Sequence, residues 1–151
     1  MYKHSKRLEN EFKQLINKFE LDFFILGVYN DFQETVSTIL YFHGDKTQEN
    51  IEYKLEYTPC KNVKEAGVCI VPKNVEQEYP EDDFFQTFNV KSYVGVLLYN
   101  AEKKPIGLLV GLSKEEQKRS DELEQSFLGL ELSASLEVER YLQNKALRSY
   151  K

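Results

Sequence analysis

Two neighbouring runs of apolar and β-branched residues constrain the fold of this chain more than any other feature of its sequence. The runs are SYVGVLLYN (92–100) and KPIGLLVGL (104–112), and only a few polar residues separate them. Strands of this composition joined by so short a connection are typical of a β-hairpin. The chain is therefore predicted to contain an antiparallel sheet.

A second predicted hairpin lies nearer the N-terminus. The runs DFFILGVYN (22–30) and ETVSTILYF (34–42) are rich in aromatic and β-branched residues, and NDFQ supplies the turn between them. The segment IEYKLEY (51–57) alternates apolar and polar residues, as a half-buried or edge strand does. AGVCIV (66–71) predicts one more strand, short and buried.

Helical patterns flank these strands. Near the N-terminus, apolar residues recur at spacings of three and four, which predicts a helix over about residues 3–20. This apolar stripe consists of Leu8, Phe12, Leu15, Ile16 and Phe19. Near the C-terminus, Ser113 and Glu116 match a capping box, so a long helix is predicted over 114–151. Acids lead this segment and bases close it, as the helix dipole favours.

Two short helices are predicted in the irregular middle of the chain. Thr58 is a suitable N-cap and Pro59 a suitable first helical residue, so TPCKNV opens a helical turn. EDDFFQTF (81–88) begins with acids and ends with apolar residues, which is typical of a brief helix. The order of elements predicts one α+β domain over residues 1–151, in which an antiparallel sheet has a helix at each end.

Charge and composition exclude several classes of function. A formal net charge of −5 does not suit a protein that binds nucleic acid through its phosphates. No apolar run is long enough to cross a bilayer, and the N-terminus lacks the pattern of a secretory signal. Two cysteines do not make a disulfide framework in a chain of 151 residues. We therefore expect a reduced, cytoplasmic protein that binds neither nucleic acid nor membrane.

The order of several short motifs resembles that of GAF domains, and more narrowly the bacterial sensory branch of that family. The motifs are IEYKLEYTPCKNV, CIVPKNVEQEYPEDDFF and VKSYVGVLLYNAEKKPIGLLVGL. They match a Y-x-L-x-x-T-P-C element, a Cys-x-x-P element, an F/Y-P-x-D segment, and an S-Y-x-G-x-P-L strand followed by a P-I/L-G hairpin. Leu97 stands where that strand usually has proline. The resemblance covers roughly residues 8 to 140.

The resemblance implies a sheet of about six antiparallel strands flanked by helices, with a small-molecule pocket between the sheet and the irregular middle segment. It also implies a regulatory role in bacterial signal transduction. In that role the domain senses a small molecule, and its C-terminal helix relays the change to a module such as a histidine kinase or a diguanylate cyclase. Neither the motifs nor the resemblance names the ligand or any cofactor.

Seven residues are candidates for the wall of this pocket, because they come from the segments expected to surround it. They are Tyr53, Cys60, Asn62, Cys69, Phe85, Tyr93 and Tyr99. Small-molecule sites are mostly apolar with a few placed polar groups, and the tyrosine hydroxyls and the asparagine amide are groups of that kind. For each aromatic residue the alternative is ordinary core packing with its polar tip at the surface.

The cysteines leave two interpretations open. Cys60 lies at a predicted helix start beside Lys61, surroundings that can lower the pKa of a thiol. An enzyme resembling the methionine sulfoxide reductases among GAF proteins, with Cys60 or Cys69 as nucleophile, is therefore an alternative function. Free cysteines also commonly fill buried space, and this structural role is the interpretation we favour for both residues.

The sequence shows no spacing of residues that is typical of a metal site. His4 and His43 do not combine with the cysteines in any zinc-ligand pattern. The acids between 76 and 83 lack the periodic ligands and the turn glycine of a calcium loop. A solvated loop that caps a helix is the expectation for this acidic segment.

The predicted C-terminal helix has more apolar surface than one packed face requires. One seam consists of Leu123, Phe127, Leu130, Ala134 and Tyr141, and the residues that broaden it are Leu128, Leu132, Leu136, Val138 and Leu142. A helix that is apolar on more than one side needs a second partner. We therefore expect a parallel homodimer formed through the terminal helices. The alternatives are that the whole stripe packs on its own sheet, or that the chain is a dimerisation scaffold with no ligand.

Overall fold

One antiparallel sheet organises the part of the chain that this computed structural model describes, residues 2–149. The helices of this part are α1 (Lys6–Phe19), α2 (Pro59–Ala66), α3 (Val75–Glu78), α4 (Asp83–Phe88) and α5 (Ser120–Ser149). Its strands are β1 (Phe23–Asn30), β2 (Thr35–His43), β3 (Lys46–Thr47), β4 (Glu52–Lys54), β5 (Val68–Val71), β6 (Ser92–Tyr99) and β7 (Pro105–Ser113). The predicted α+β architecture with an antiparallel sheet is confirmed.

The two predicted hairpins form the centre of this sheet. The strand order is β3-β2-β1-β7-β6-β5, with β4 paired to the outer part of β2. The hairpins β1–β2 and β6–β7 are joined through β1 and β7, which are antiparallel and pair Phe23 with Leu112 and Val28 with Gly107. The first and last strands of the chain, β1 and β7, are therefore neighbours in the sheet. Residues that are far apart in sequence lie close together on either side of this pair.

Helices cover both faces of the sheet, and the side chains of β1 alternate between the two layers. Phe24 and Leu26 belong to the core beneath α1 and α5, whereas Phe23, Ile25 and Tyr29 belong to the core beneath α2, α3 and α4. A strand buried on both faces reads as a continuous apolar run, which explains the composition of DFFILGVYN. The layer of α2, α3 and α4 is formed by the middle of the chain, the segment that the sequence analysis described as irregular.

The long C-terminal helix begins at Ser120, and the prediction that it starts at 114 was wrong. Ser113 is not an N-cap, because it is the last residue of β7 and pairs with Ser92 of β6. The residues that follow form a loop attached to the end of α1: the Lys114 backbone N–H donates to Asp22, and the buried Gln117 side chain donates to the carbonyl oxygen of Phe19. Strand pairing therefore overrides the local capping pattern.

The strand in segment 51–57 is shorter than the alternation of apolar and polar residues predicted. Only Glu52–Lys54 pairs with β2, and the chain then turns at Tyr57, whose φ of 68° is left-handed. This turn brings Thr58 and Pro59 to the start of α2, where the helix was predicted. Within residues 2–149, no helix has the length and apolar character needed to span a membrane.

Candidate functional site

A cavity of about 370 Å³ lies between the sheet and the layer of short helices. Its volume is within the range of known small-molecule sites. The cavity has an apolar and aromatic interior, formed by Ile25, Ile51, Tyr53, Pro59, Cys60, Phe84, Phe85, Tyr93, Val110 and Leu112. Polar residues and one more tyrosine complete the wall: Lys54, Glu56, Tyr57, Thr58, Glu81, Asp82 and Asp83. The resemblance predicted a pocket in this layer.

A buried thiol and two phenols meet at one side of the cavity. The Cys60 Sγ lies 3.3 Å from the hydroxyl oxygen of Tyr53 and 3.1 Å from that of Tyr93. The Tyr29 hydroxyl donates to the backbone carbonyl oxygen of Cys60 over 3.1 Å. Strands β1, β4 and β6 therefore hold the first turn of α2 in place through three tyrosines. This cluster presents polar groups to an otherwise apolar cavity.

The Cys60 thiol is protonated at neutral pH. Burial raises its pKa to about 11, although hydrogen bonds from Tyr53 and Tyr93 act in the opposite direction. The surroundings that the sequence offered, a helix start and Lys61, do not lower this pKa, because Lys61 is exposed while the thiol points into the core. Burial also raises the pKa of Cys69. Neither cysteine has the low pKa that characterises nucleophilic thiols.

Four of the seven candidate residues line the cavity, and three do not. Tyr53, Cys60, Phe85 and Tyr93 form part of its wall. Asn62 is exposed on α2 and donates to the Tyr79 hydroxyl over 2.7 Å. Cys69 lies in β5 at the edge of the sheet, and Tyr99 lies at the far end of β6. That any of the seven binds a ligand remains a prediction.

Tyr99 lies outside the cavity although it shares a core layer with Tyr93. The two tyrosines are six residues apart on one strand, which corresponds to roughly 20 Å. Sequence parity predicts the face of a sheet to which a side chain points, but not which end of that face carries the cavity. Parity likewise places Ile25, Val110 and Leu112 on this face, but only the tertiary structure shows that these three residues line the cavity.

Asp82 is the cavity residue that the sequence analysis interpreted differently. Its carboxylate caps α4 by accepting from the Phe85 backbone N–H over 3.2 Å, which confirms the capping part of the prediction. It is not solvated, however, because only 7% of the residue is exposed. Burial raises its pKa to about 6, although backbone N–H groups of Phe85 and Phe84 act to lower it. Asp82 is the aspartate of the Y-P-x-D motif, but it was not among the candidates for the pocket wall.

The carboxylates around the cavity have no cationic partners among the residues that the structure describes. Within residues 2–149, none of the ion pairs includes Glu56, Glu81, Asp82 or Asp83, and Lys54 is not part of one either. The same part of the chain contains no group of three histidine, cysteine or acidic side chains placed to hold a metal ion. The wall of the cavity therefore carries excess negative charge.

Gly95 provides the space that the Tyr93 ring occupies. A Cβ at this position would lie 2.7 Å from the Tyr93 hydroxyl oxygen and 2.8 Å from Cγ2 of Val63 in α2. The glycine of the S-Y-x-G motif therefore allows Tyr93 to fold over its own strand and reach Cys60. A larger residue would push the ring and α2 away from the sheet.

Gly95→Ala is expected to lower the free energy of unfolding by about 1–3 kcal/mol, as overpacking of a core does. Gly129→Ala is the matched control, because a Cβ there meets nothing within 4 Å and the residue is inside α5. It should raise the free energy of unfolding by up to about 1 kcal/mol. Urea denaturation of both variants measures these changes. Effects of the same sign would contradict the described packing of Tyr93.

Comparison with protein-family models and with curated protein sequences finds no match for this chain. Solved structures do match it. The free methionine-R-sulfoxide reductase of Neisseria meningitidis, solved with its substrate, superposes with a TM-score of 0.69 and 14% identity over 91% of this chain and 78% of that chain. The type II free methionine-R-sulfoxide reductase of Thermoplasma acidophilum gives a TM-score of 0.67 and 15% identity over 89% and 91%.

A third similar structure is the GAF domain of an Acinetobacter phosphoenolpyruvate-protein phosphotransferase. It superposes with a TM-score of 0.67 and 14% identity, over 88% of this chain and 80% of that chain. The chain therefore has a GAF-like fold, as the resemblance of its motifs predicted. At identities of 14–15%, these similarities show a common fold and not a common function.

Proposed function

We propose that this chain is a regulatory domain that binds a small molecule in the cavity between β4, α2 and α4. One observation carries the proposal: an apolar cavity of about 370 Å³ is lined at one side by the Cys60 thiol and the Tyr53 and Tyr93 hydroxyls, and at another by the buried carboxylate of Asp82. A few convergent polar groups in an apolar cavity are the usual composition of a ligand site.

Strand β7 offers a route from the cavity to the C-terminal helix. Val110 and Leu112 line the cavity, whereas Leu109 and Gly111 face the layer of α1 and α5. A ligand that moves β7 therefore acts on the contact between this strand and α5. The relay requires that the ligand binds one arrangement of α5 more tightly than another. As the motifs imply, the receiving module is a kinase or a cyclase of a bacterial signalling protein in the cytoplasm.

We further propose that α5 pairs with α5 of a second copy. Leu128, Leu132 and Leu136 form an i, i+4 ridge that is 37%, 72% and 57% exposed. Glu124 precedes this ridge by four residues and Arg140 follows it by four. An antiparallel contact centred on Leu132 places Glu124 of each copy near Arg140 of the other, whereas a parallel contact brings like charges together. Arg140 already pairs with Glu137 of its own helix, so charge does not decide between the two arrangements, and the parallel homodimer expected from the sequence is the one we propose.

Native mass spectrometry of the purified chain tests the ligand and the dimer together. We expect a dimer that carries a discrete extra mass. Ile51→Trp, at the cavity wall, should abolish the extra mass, whereas Phe32→Trp, at a fully exposed turn, should keep it. Leu132→Glu should give monomers, and Phe32→Glu is its control. An extra mass that survives Ile51→Trp, or a wild-type chain that binds nothing from a metabolite extract, contradicts the sensor.

A thiol-dependent reductase is the second candidate function, because Cys60 lies in the cavity and two of the similar structures are free methionine-R-sulfoxide reductases. In such a reaction the sulfoxide oxygen leaves as water, two thiols become a disulfide, and the thioether is released. The protonated state of the Cys60 thiol disfavours it. We expect no reduction of free methionine-R-sulfoxide in the presence of dithiothreitol. Turnover that Cys60→Ser abolishes would support the enzyme instead.

A further inference from the structure

We infer that the cavity takes an organic ammonium compound, a small molecule in which a positively charged amine is joined to an apolar body. This inference rests on the proposed function, because it names the class of ligand for the same cavity.

The wall of the cavity carries four carboxylates, Glu56, Glu81, Asp82 and Asp83, and one lysine, Lys54. None of these carboxylates is ion-paired within residues 2–149. Glu56 and Glu81 both act on the Tyr57 hydroxyl, whose pKa they raise. The field at the mouth of the cavity therefore attracts cations and repels anions.

Asp82 is the buried member of these four carboxylates. The residue is 7% exposed and is in no ion pair within residues 2–149, and its described hydrogen-bond donors are backbone N–H groups of α4. Burial is the main cause of the raised pKa of both Tyr53 and Cys60, and the charge of Asp82 raises both a little further. A buried carboxylate without a counter-ion is unfavourable, and a cationic ligand in the cavity would supply that counter-ion.

Aromatic rings are the third feature of this cavity that suits an organic cation. Tyr53, Phe84, Phe85 and Tyr93 line the cavity together with Asp82. The faces of such rings attract the positive charge of an organic ammonium group by cation–π interaction. A metal ion fits less well, because the described residues contain no group of three metal-ligating side chains. The arrangement therefore selects an organic cation with an apolar body.

Three probes of similar size that differ in charge test the inference. They are 2-phenylethylamine, 2-phenylethanol and 3-phenylpropionate, which are cationic, neutral and anionic at pH 7. Isothermal titration calorimetry with the full chain should show that the amine binds at least about tenfold more tightly than the alcohol, as expected for one buried opposite charge. The propionate should bind more weakly than the alcohol.

Asp82→Asn separates the charge from the structural role of the residue, because asparagine caps a helix as well as aspartate does. This variant should bind the amine and the alcohol with similar affinity. Asp121→Asn is the matched control, since it removes the same charge from the first turn of α5, which packs on the opposite face of the sheet. It should leave the tenfold preference unchanged.

The amine affinity should also rise between pH 5 and pH 7.5, because Asp82, with a pKa of about 6, becomes charged over that range. The neighbouring Tyr53 and Cys60 stay protonated throughout, since the pKa of each is raised. The other charged residues of the cavity wall are exposed, so water screens their charges more than that of Asp82. They are Lys54, Glu56, Glu81 and Asp83. The pH dependence should flatten in Asp82→Asn.

Two results would overturn the inference, and they bear differently on the proposed function. If the alcohol or the propionate binds as tightly as the amine, the selection of cations is wrong although the cavity still binds small molecules. If none of the probes binds at millimolar concentration, the ligand class is wrong, and the extra mass in the native spectrum decides separately whether the cavity holds another ligand.

Discussion

Phe127→Ala is expected to lower the free energy of unfolding by about 3–5 kcal/mol, the range found when a buried phenylalanine is truncated. The Phe127 side chain is fully buried where α5 crosses the sheet. Its ring packs edge-on against Phe24 with centroids 5.6 Å apart, and it covers Gly111 of β7 so closely that a Cβ there would lie 3.0 Å from its Cζ. Alanine would leave a cavity that these neighbours cannot fill.

Leu132→Ala is the matched control for this prediction, because it truncates an apolar residue of the same helix that is mostly exposed. It should change the free energy of unfolding by no more than about 0.5 kcal/mol. Both variants are compared by urea denaturation followed by circular dichroism, at a protein concentration low enough that dimers do not contribute. If the two variants lose the same stability, α5 does not pack on the sheet as described.

Glu137→Gln is expected to lower the free energy of unfolding by about 2–3 kcal/mol at pH 7. The buried Glu137 carboxylate accepts from the Tyr2 hydroxyl over 2.7 Å and from Arg140, and its Oε2 lies 2.9 Å from the Nδ1 of His4. The other ring nitrogen of His4 contacts the Ile39 carbonyl oxygen. Glu137 therefore joins the N-terminal segment, β2 and α5, and a neutral amide would lose the charged part of every contact.

The effect of this substitution should depend on pH. Burial raises the pKa of Glu137, but hydrogen bonds from Tyr2, His4 and Arg140 outweigh it, so the pKa lies below its ordinary value. The stabilisation is therefore complete at neutral pH and is lost as the pH falls below about 4. Denaturation of wild type and Glu137→Gln at pH 7 and at about pH 3 measures this difference, which should shrink at the lower pH.

Glu122→Gln serves as the control for Glu137→Gln. Glu122 is also paired with an arginine of its own helical region, Arg119, but the pair is exposed. Exposed pairs contribute little because water screens them, so this variant should be indistinguishable from wild type. A loss of stability as large as that of Glu137→Gln would mean that removal of any carboxylate from α5, and not the buried network, is responsible.

Most of the secondary structure could be predicted from the sequence, because the patterns are local. The helix α1, the hairpins β1–β2 and β6–β7, and the start of α2 all lie within a residue or a few of their predicted bounds. The start of α5 was wrong for a reason that is not local. The local sequence around Ser113 matches a helix N-cap, but Ser113 pairs with Ser92 of β6 and is therefore the last residue of β7.

The candidate site was predictable only in part. The motifs placed Tyr53, Cys60 and Tyr93 in segments around a pocket, and these three residues do meet at the cavity. The motifs placed Asn62, Cys69 and Tyr99 there as well, and the structure positions those three elsewhere. Membership in a segment is a local property, whereas the direction of a side chain and its position along a strand follow from the packing of the whole sheet.

By itself, the sequence determined most of the helices and strands of this protein, because periods of two and of three to four residues depend only on neighbours along the chain. The tertiary structure alone decided the chemistry of the cavity. It buried the Cys60 thiol and so raised its pKa, and it buried Asp82, which is in no ion pair within residues 2–149. Burial and charge pairing depend on residues that are distant in sequence and meet only when β1 pairs with β7 and the short helices close over them.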